Sequence, residues 1–483
     1  MIFKNLGKDT LIYGGSDFVI KIIAFALFPF IASALSPAGF GILELIMTII
    51  GLFGLIIGCG LNNAIHRFYW DEDFDKQSKA LLITTGFFLQ AAFWASLAII
   101  LFISYLFAKY YFKISFKIYD FNLTNGAILS IICLIYIRTA SRYIQDTIRL
   151  YFKPFKFLLF AFFSQGVTVI AAVIILIFYS GDISIFLITL MVVGAIVLPI
   201  GVFIIRKDLK FRFDRKIAIQ ITSYGYPFIF AGLAYWLFSS MDRWMLSTLS
   251  SVSETGIYAV AFRFASVLFM VSAAFGQAWS PYAIKIRMDY PNEHKNIYAN
   301  TFVLLIFVML ALGGGVALYS GEFIALILPK EYQAAALPLV ILSFAIILQS
   351  TQQVTAMGIS IMKKTKLLAA IAWLAAIINF IGNYYLIPNY GSTGAAISTF
   401  LSYLFITSSY LFFTQKLYPI PICWRKITFL LSVSVIIGVV SFSSINTLFN
   451  LNILLIKFLF AIILLILGVY FLRIKDILAS SFT

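Results

Sequence analysis

Charge is what this chain has least of. Only 11% of its 483 residues are Asp, Glu, Lys or Arg, against roughly 25% in a soluble globule. A water-facing surface cannot be built from so few ions, so most of the exterior must face something else. Histidine is nearly absent, and His66 and His294 both fall in short polar breaks. The three cysteines, Cys59, Cys133 and Cys423, are scattered and form no metal or redox spacing. Cys59 and Cys133 lie in apolar runs, where a thiol is an ordinary small packing group. There is no Walker loop, no zinc spacing and no G-x-S-x-G elbow. No polar stretch is long enough to hold a soluble catalytic domain. A nucleotide-driven motor and a hydrolase are both excluded, and the chain is read as no enzyme and as needing no cofactor.

What is present is hydrocarbon, at 62% hydrophobic residues. Runs of about 20 apolar residues recur from end to end, and each is long enough to cross the roughly 30 Å core of a bilayer as a helix. Cutting at polar breaks gives fourteen segments: 11–35, 40–62, 80–107, 122–145, 157–179, 183–205, 222–248, 255–281, 298–319, 336–361, 367–387, 393–414, 427–446 and 452–472. The first follows Lys4 and Lys8 like a signal peptide. It is too long and lacks a small-residue cleavage site, so it reads as an uncleaved first helix.

An even number of spans puts both termini on one side, and the basic residues choose the side. With cytoplasmic termini, the inner tails and loops hold 27 Lys and Arg and the outer loops hold 4, leaving Lys21, Arg243, Arg263 and Lys457 inside spans. The inner count includes the stretch from Arg138 to Lys156 as a loop. The expectation is a multi-pass protein of a bacterial cytoplasmic (inner) membrane with both termini inside. The net charge of +16 is then a topology signal and a contact with anionic membrane lipids, and nucleic acid is not a partner.

The chain also repeats. Ser36-Pro37-Ala38-Gly39-Phe40 parallels Ser253-Glu254-Thr255-Gly256-Ile257, and Phe155-Lys156-Phe157-Leu158 parallels Thr365-Lys366-Leu367-Leu368, offsets of 217 and 210. The predicted fold is therefore all-α, with two parallel six-helix repeats plus two C-terminal helices. The domains are 1–205 and 222–414 as bundles, 427–472 as the additional pair, and 473–483 as a cytoplasmic tail. Parallel repeats facing one another suit a transporter with a midplane site. The competing reading is a scaffold of packed helices without a cavity.

Ionisable groups inside spans are costly and mark function by default. Lys21 lies one helical turn beyond Asp17. The two either neutralise each other as an i,i+4 pair, or Lys21 lines a wet cavity. Arg263 sits about two turns into its span, with Glu254 at the mouth as the nearest acid in sequence. Asp242-Arg243 lies near the outer end of the seventh span, as a cavity pair or an interfacial one that snorkels. Lys457 is read as snorkelling too. Candidates for a cationic substrate site are Lys21, Arg243 and Arg263, and those for ion coupling or charge partnership are Asp17, Asp242 and Asn379. Asn379, Asn383, Gln349, Gln352 and Gln353 bind sugar hydroxyls or an ion, or glue helices together. Pro227, Pro281, Pro338 and Gly313-Gly314-Gly315 are candidate kinks. Asp71-Glu72-Asp73 is similar to the acidic metal motif of glycosyltransferases. It sits in a seventeen-residue loop, 63–79, with no domain to hold a nucleotide, and reads as a solvated patch.

Several motifs in order resemble one family. They are Tyr13-Gly14-Gly15, Leu35-Ser36-Pro37 with Gly39-Phe40-Gly41, Gly60-Leu61 before Arg67-Phe68-Tyr69, Asp242-Arg243-Trp244-Met245-Leu246, Glu254-Thr255-Gly256-Ile257-Tyr258 and Arg263. Across essentially its whole length the chain resembles the polysaccharide repeat-unit flippases of the multidrug/oligosaccharidyl-lipid/polysaccharide (MOP) exporter superfamily. That resemblance implies a MATE-like fold alternating between inward-open and outward-open states. It implies a cationic cavity for an undecaprenyl-pyrophosphate-linked oligosaccharide, with polysaccharide polymerase and chain-length machinery as partners. It implies no ATPase, with H+ or Na+ coupling, or downstream consumption of the product, in its place. Lipid II-type flippases, multidrug/cation antiporters and membrane oligosaccharide polymerases are the alternatives. The last tend to carry a large outer loop, and the outer segments here are short.

Overall fold

The computed structural model describes the backbone of residues 2–70, 76–111, 117–118, 121–122, 124–179, 181–210, 212–444 and 449–472. Within those ranges it describes side chains from Phe18 onward, except at 76, 108–122 and 365. The Asp17 side chain, the Asp71–Asp73 patch and the 473–483 tail lie outside the described residues. The described chain is helical apart from one antiparallel pair of two-residue strands, Lys117–Ile118 and Phe121–Asn122.

Among the described residues, twelve helices are long and apolar enough to cross a membrane. One of them, Lys366–Leu417, is two spans end to end, where only Gly391 (φ 52°, ψ −132°) leaves helical geometry. Counted as two, and with α1 (Ile2–Ala34), of which Phe18–Ala34 is the described apolar part, the fourteen expected spans are recovered. Apolar side chains such as Phe178, Leu326 and Tyr470 are 74–83% exposed, as helices bathed in lipid require. Backbone polarity is spent inside each helix because lipid offers no partner. Helix ends take side-chain caps: Ser36 accepts from Gly39 N at 3.2 Å, Thr124 from Ala127 N at 3.2 Å and Asp182 from Ser184 N at 2.7 Å.

The chain divides into two compact units, Met1–Ser240 and Met241–Thr483. The first contains α1, α2 (Pro37–Gly58), α3 (Leu61–Phe68), α4 (Lys76–Tyr111), α5 (Asn125–Leu150) and α6 (Pro154–Ala161). It continues through α7 (Thr168–Phe178), α8 (Ile183–Ile205), α9 (Arg215–Gly225) and most of α10 (Pro227–Leu249). A π-helical turn, Phe162–Val167, joins α6 to α7. α5 is the organising helix and packs on α2, α4, α6 and α8. Its Tyr143 is fully buried and donates to the Ile83 carbonyl at 2.6 Å. The α2–α3 turn is a tight one: Cys59 and Gly60 both have positive φ, at 46° and 62°. A Cβ on Gly60 would stand 2.2 Å from the Gly225 carbonyl oxygen, so only glycine fits this approach of two backbones. Pro227 opens α10 instead of kinking it.

The second unit runs from the end of α10 through α11 (Val252–Asp289), α12 (His294–Leu318), α13 (Ser320–Ile327), α14 (Ala336–Thr355) and α15 (Met357–Ile361). It ends with α16 (Thr365–Leu417), α17 (Trp424–Ser444) and α18 (Leu451–Leu472). α14 is central, against α11, α12 and α16, and the last two helices dock on α12. α11 is capped by Ser251, which accepts from Glu254 N at 3.1 Å, as α2 is by Ser36. Two expectations are corrected. His294 is not a loop residue: it is buried in the first turn of α12, its Nε2 bonded to the Tyr418 hydroxyl. Lys457 does not snorkel: its ammonium lies 2.6 Å from Glu322 Oε1, with the two side chains only 1% and 8% exposed. A lone buried ammonium is costly, and α13 supplies the counter-charge.

Candidate functional site

The clearest site-like arrangement is on α5, in the first unit. Arg138 and Arg142 are one turn apart, so both lie on one face of the helix. The charge count from sequence places them with a loop to Lys156, whereas the helix continues to Leu150. At 1.5 Å per residue the two are about 18 and 12 Å inside that end. Both line a cavity of about 540 Å3 with Asn62, Asn63, Gln90 and Asp146 on its polar side and Gly51, Gly54 and Gly232 on its small-residue side. Small residues keep the walls apart: nothing lies within 4 Å of a Cβ placed on Gly51. Gln90 is 1% exposed, and neither atom of its amide has a partner among the described residues. An orphaned buried amide at a cavity wall calls for a ligand or water there.

The cavity's inner rim carries an anchored acid. Asp146 accepts from Asn62 Nδ2 at 2.5 Å and pairs with Arg149 at 3.5 Å, while Arg149 lies 4.5 Å over the Phe157 ring. Asp146 lines the cavity beside Arg142 and is held in place by Asn62 and Arg149. A smaller cavity of about 260 Å3 lies on the other side of α5 and shares Arg138 and Arg142 with the first.

The residues singled out from sequence are distributed differently. Lys21 is exposed on α1 and lines neither of these two cavities. Asp242 and Arg243 are buried at 5% and 8% exposure, so neither reaches for headgroups. Asp242 accepts from the Tyr258 hydroxyl at 2.5 Å, and Tyr258 is 3.3 Å from Thr399 Oγ1. Arg243 sits 5.0 Å over the Phe262 ring, a cation–π contact. Arg263, on α11, is half-buried, and Glu254 is committed elsewhere, accepting from Ser392 N at 2.7 Å just beyond the Gly391 kink. Asn379 accepts from Asn383 Nδ2 at 3.1 Å, and its carbonyl accepts from Ser398 at 2.8 Å. Gln349 and Gln352 bond Ser272 and Thr407 across helices. Asp242 Oδ1 and Asn383 Oδ1 are buried with no partner among the described residues. A further cavity in this unit, about 590 Å3, is walled by apolar groups of α12, α14, α16 and α17, including Phe302, Phe344, Phe400 and Trp424.

A family described as "Polysaccharide biosynthesis protein" matches residues 6–287, more than half of the chain. The chain belongs to that family. Its matched stretch contains α5, both cavities of the first unit, and the Asp242–Arg263 region. Among curated relatives, the chain is 22% identical over 242 residues to the "Probable low-salt glycan biosynthesis flippase Agl15" of Haloferax volcanii, covering 49% of this chain and 51% of that protein. It is 23% identical over 284 residues to the "Lsg locus putative protein 1" of Haemophilus influenzae, covering 57% and 65%. The chain thus spans about half to two thirds of the length of these relatives. Among solved structures, the lipid II flippase MurJ in an inward closed conformation superposes with a TM-score of 0.71 at 16% identity, covering 96% of this chain and 99% of that one. An inward-facing MATE-family multidrug transporter of the MOP superfamily superposes at 0.58 and 13% identity, covering 82% and 93%. The fold of this family member is that of the MOP exporters, and the chain is a multi-pass membrane protein.

The arginine pair on α5 escapes the sequence reading because the charge count places Arg138 and Arg142 with the loop to Lys156, although the 122–145 segment contains both. The signal is in the sequence: Arg138 and Arg142 stand at i,i+4 within Leu134–Ile148, where Leu134, Ile137, Ile144 and Ile148 keep the helical apolar period.

Proposed function

We propose that the protein moves a lipid-linked oligosaccharide from the cytoplasmic to the outer leaflet of a bacterial inner membrane, with both termini cytoplasmic, for surface polysaccharide synthesis. The observation that carries this reading is the Arg138–Arg142 pair on the wall of a 540 Å3 cavity beside the unpartnered Gln90. Guanidinium groups clamp phosphate oxygens bidentately, and two of them one turn apart suit the two phosphates of a polyprenyl diphosphate. The family match supports a glycan as cargo. Lys21, Arg243 and Arg263 stay further candidates for substrate binding, separate from the Arg138–Arg142 cavity. Undecaprenyl is the carrier this reading names, and a polymerase with its chain-length regulator would take over the product.

Deletion of the gene, followed by leaflet-resolved analysis of lipid-linked sugars, tests the reading. Complete repeat units should accumulate on the cytoplasmic leaflet. Single units still arriving on the outer leaflet would transfer the function to polymerisation and sink the flippase assignment.

A cation-coupling role for the second unit is favoured by its own observation. The unpartnered Asp242 Oδ1 and Asn383 Oδ1 belong to two hydrogen-bonded groups, Asp242–Tyr258–Thr399 and Ser398–Asn379–Asn383, which meet in sequence at Ser398–Thr399. Such orphaned oxygens fit a proton or a sodium ion. Asp242→Asn should keep substrate binding and lose the acceleration that a sodium or proton gradient gives the wild type. An unchanged gradient response would remove Asp242 from the coupling site.

A further inference from the structure

The two arginines of α5 face two cavities, and the smaller one has a different chemistry. It is lined by Ser141, Gln145, Ser164, Gln165 and Thr168 in addition to Arg138 and Arg142. Neutral amides and hydroxyls are the donor–acceptor set that reads sugar hydroxyls, and they cluster here inside an otherwise apolar bundle. Two features show how the cluster is built. The π-helical turn Phe162–Val167 inserts an extra residue into the α6–α7 helix, a device that recurs at functional sites. It brings Ser164 and Gln165 to the cavity. Gln145, only 8% exposed, then ties the two together: it donates to Ser164 Oγ at 3.1 Å and accepts from Gln165 Nε2 at 3.4 Å. Thr168 donates to the Phe163 carbonyl at 3.1 Å.

Helix adhesion alone does not account for this group. Polar residues that glue helices bond across a closed seam, whereas these border about 260 Å3 of space, enough for a small polar moiety and just under the size of a pocket for a drug-like ligand. Gln165 is itself exposed. The cationic side chains that would hold a diphosphate form the common wall of both cavities.

Resting on the flippase reading, we propose that the Gln145–Ser164–Gln165 cluster is a sugar subsite, which binds the hydroxyls of the first sugar attached to the diphosphate held by Arg138 and Arg142. The larger cavity takes the diphosphate from the side of α2 and α10, and the smaller one takes the reducing-end sugar. The subsite makes the protein selective for a glycosylated carrier over the bare lipid diphosphate. It reads only the first ring, so the outer sugars of the repeat unit are left unselected by this contact.

The test uses the full-length protein in lipid nanodiscs and two probes: farnesyl diphosphate, and the same lipid diphosphate carrying one N-acetylhexosamine. Wild type should bind the glycosylated probe more tightly. Gln165→Leu and Ser164→Ala should each weaken the glycosylated probe by about five- to tenfold, the loss of one or two neutral hydrogen bonds, and leave farnesyl diphosphate within about twofold. Arg142→Gln should weaken both probes together. Equal effects of Gln165→Leu and Ser164→Ala on the two probes, or no effect on either, would overturn the sugar subsite and leave the diphosphate site standing. Wild-type protein that binds neither probe would overturn the flippase reading itself and the subsite with it.

Discussion

Replacing Arg138 and Arg142 together by alanine should abolish transport while the protein stays in the membrane at near-normal abundance. Each guanidinium–phosphate contact is a charge-assisted hydrogen-bond pair worth about 1.5–3 kcal/mol. Losing both should cost roughly a hundredfold or more in affinity for a polyprenyl diphosphate. Both side chains are exposed at the cavity wall, so their removal opens no hole in the packed core. Paired lysines should restore part of the activity, since they keep the charge and lose the bidentate fork. A purely structural role predicts the reverse. In that case alanine would lower abundance, and methionine, which matches the length of arginine without its charge, would restore both abundance and export.

Lys457→Met should destabilise the second unit by about 3–5 kcal/mol, because it strands the Glu322 carboxylate in a buried site. The pair is nearly sealed from solvent, at 1% and 8% side-chain exposure, so little screening softens the loss. Lys457→Met combined with Glu322→Leu should recover most of the stability, since a well-packed apolar pair is often as good as a buried ion pair. Thermal unfolding in detergent, followed by size-exclusion chromatography, reads both outcomes. A double variant as unstable as the single one would show that the ammonium is needed for something other than its partner, with the Tyr319 ring 5.8 Å away as the next contact.

These two sites also show what could be read from the sequence and what could not. The number of spans was legible because a bilayer imposes a length and a polarity on every crossing. The fourteen segments survive even where only Gly391 separates two spans that run end to end. Helix ends were less legible, and the error had a functional consequence. The 122–145 segment contains Arg138 and Arg142, but counting basic residues by face places them in water with the loop to Lys156, while the helix carries them 12 and 8 residues short of its end at Leu150. The charge that makes them useful also disguised them as a loop. Lys457 was misread for a different reason. Its partner lies 135 residues away, and no local pattern announces a contact of that range. The amides of α14 are bonded across helices, Gln349 with Ser272 and Gln352 with Thr407, whereas Asn383 bonds Asn379 within α16.

The π-turn is the least legible feature of all. Phe162–Val167 reads as part of an unbroken apolar run, with Ser164 and Gln165 as isolated polar residues. Their significance depends on Gln145, which a different helix brings into reach. Polar residues of this kind acquire meaning only through packing, so sequence spacing carries little of it.

Flipping by the purified protein tests the central claim most directly. A polyprenyl-diphosphate oligosaccharide with a fluorescent sugar would be placed in both leaflets of liposomes, and an impermeant quencher added outside. With wild-type protein, the fluorescence should fall beyond the outer-leaflet share as inner-leaflet molecules cross, while Arg138→Ala/Arg142→Ala liposomes should stop at that share. Wild-type liposomes that quench no further than protein-free ones, with the protein folded and correctly inserted, would contradict the account.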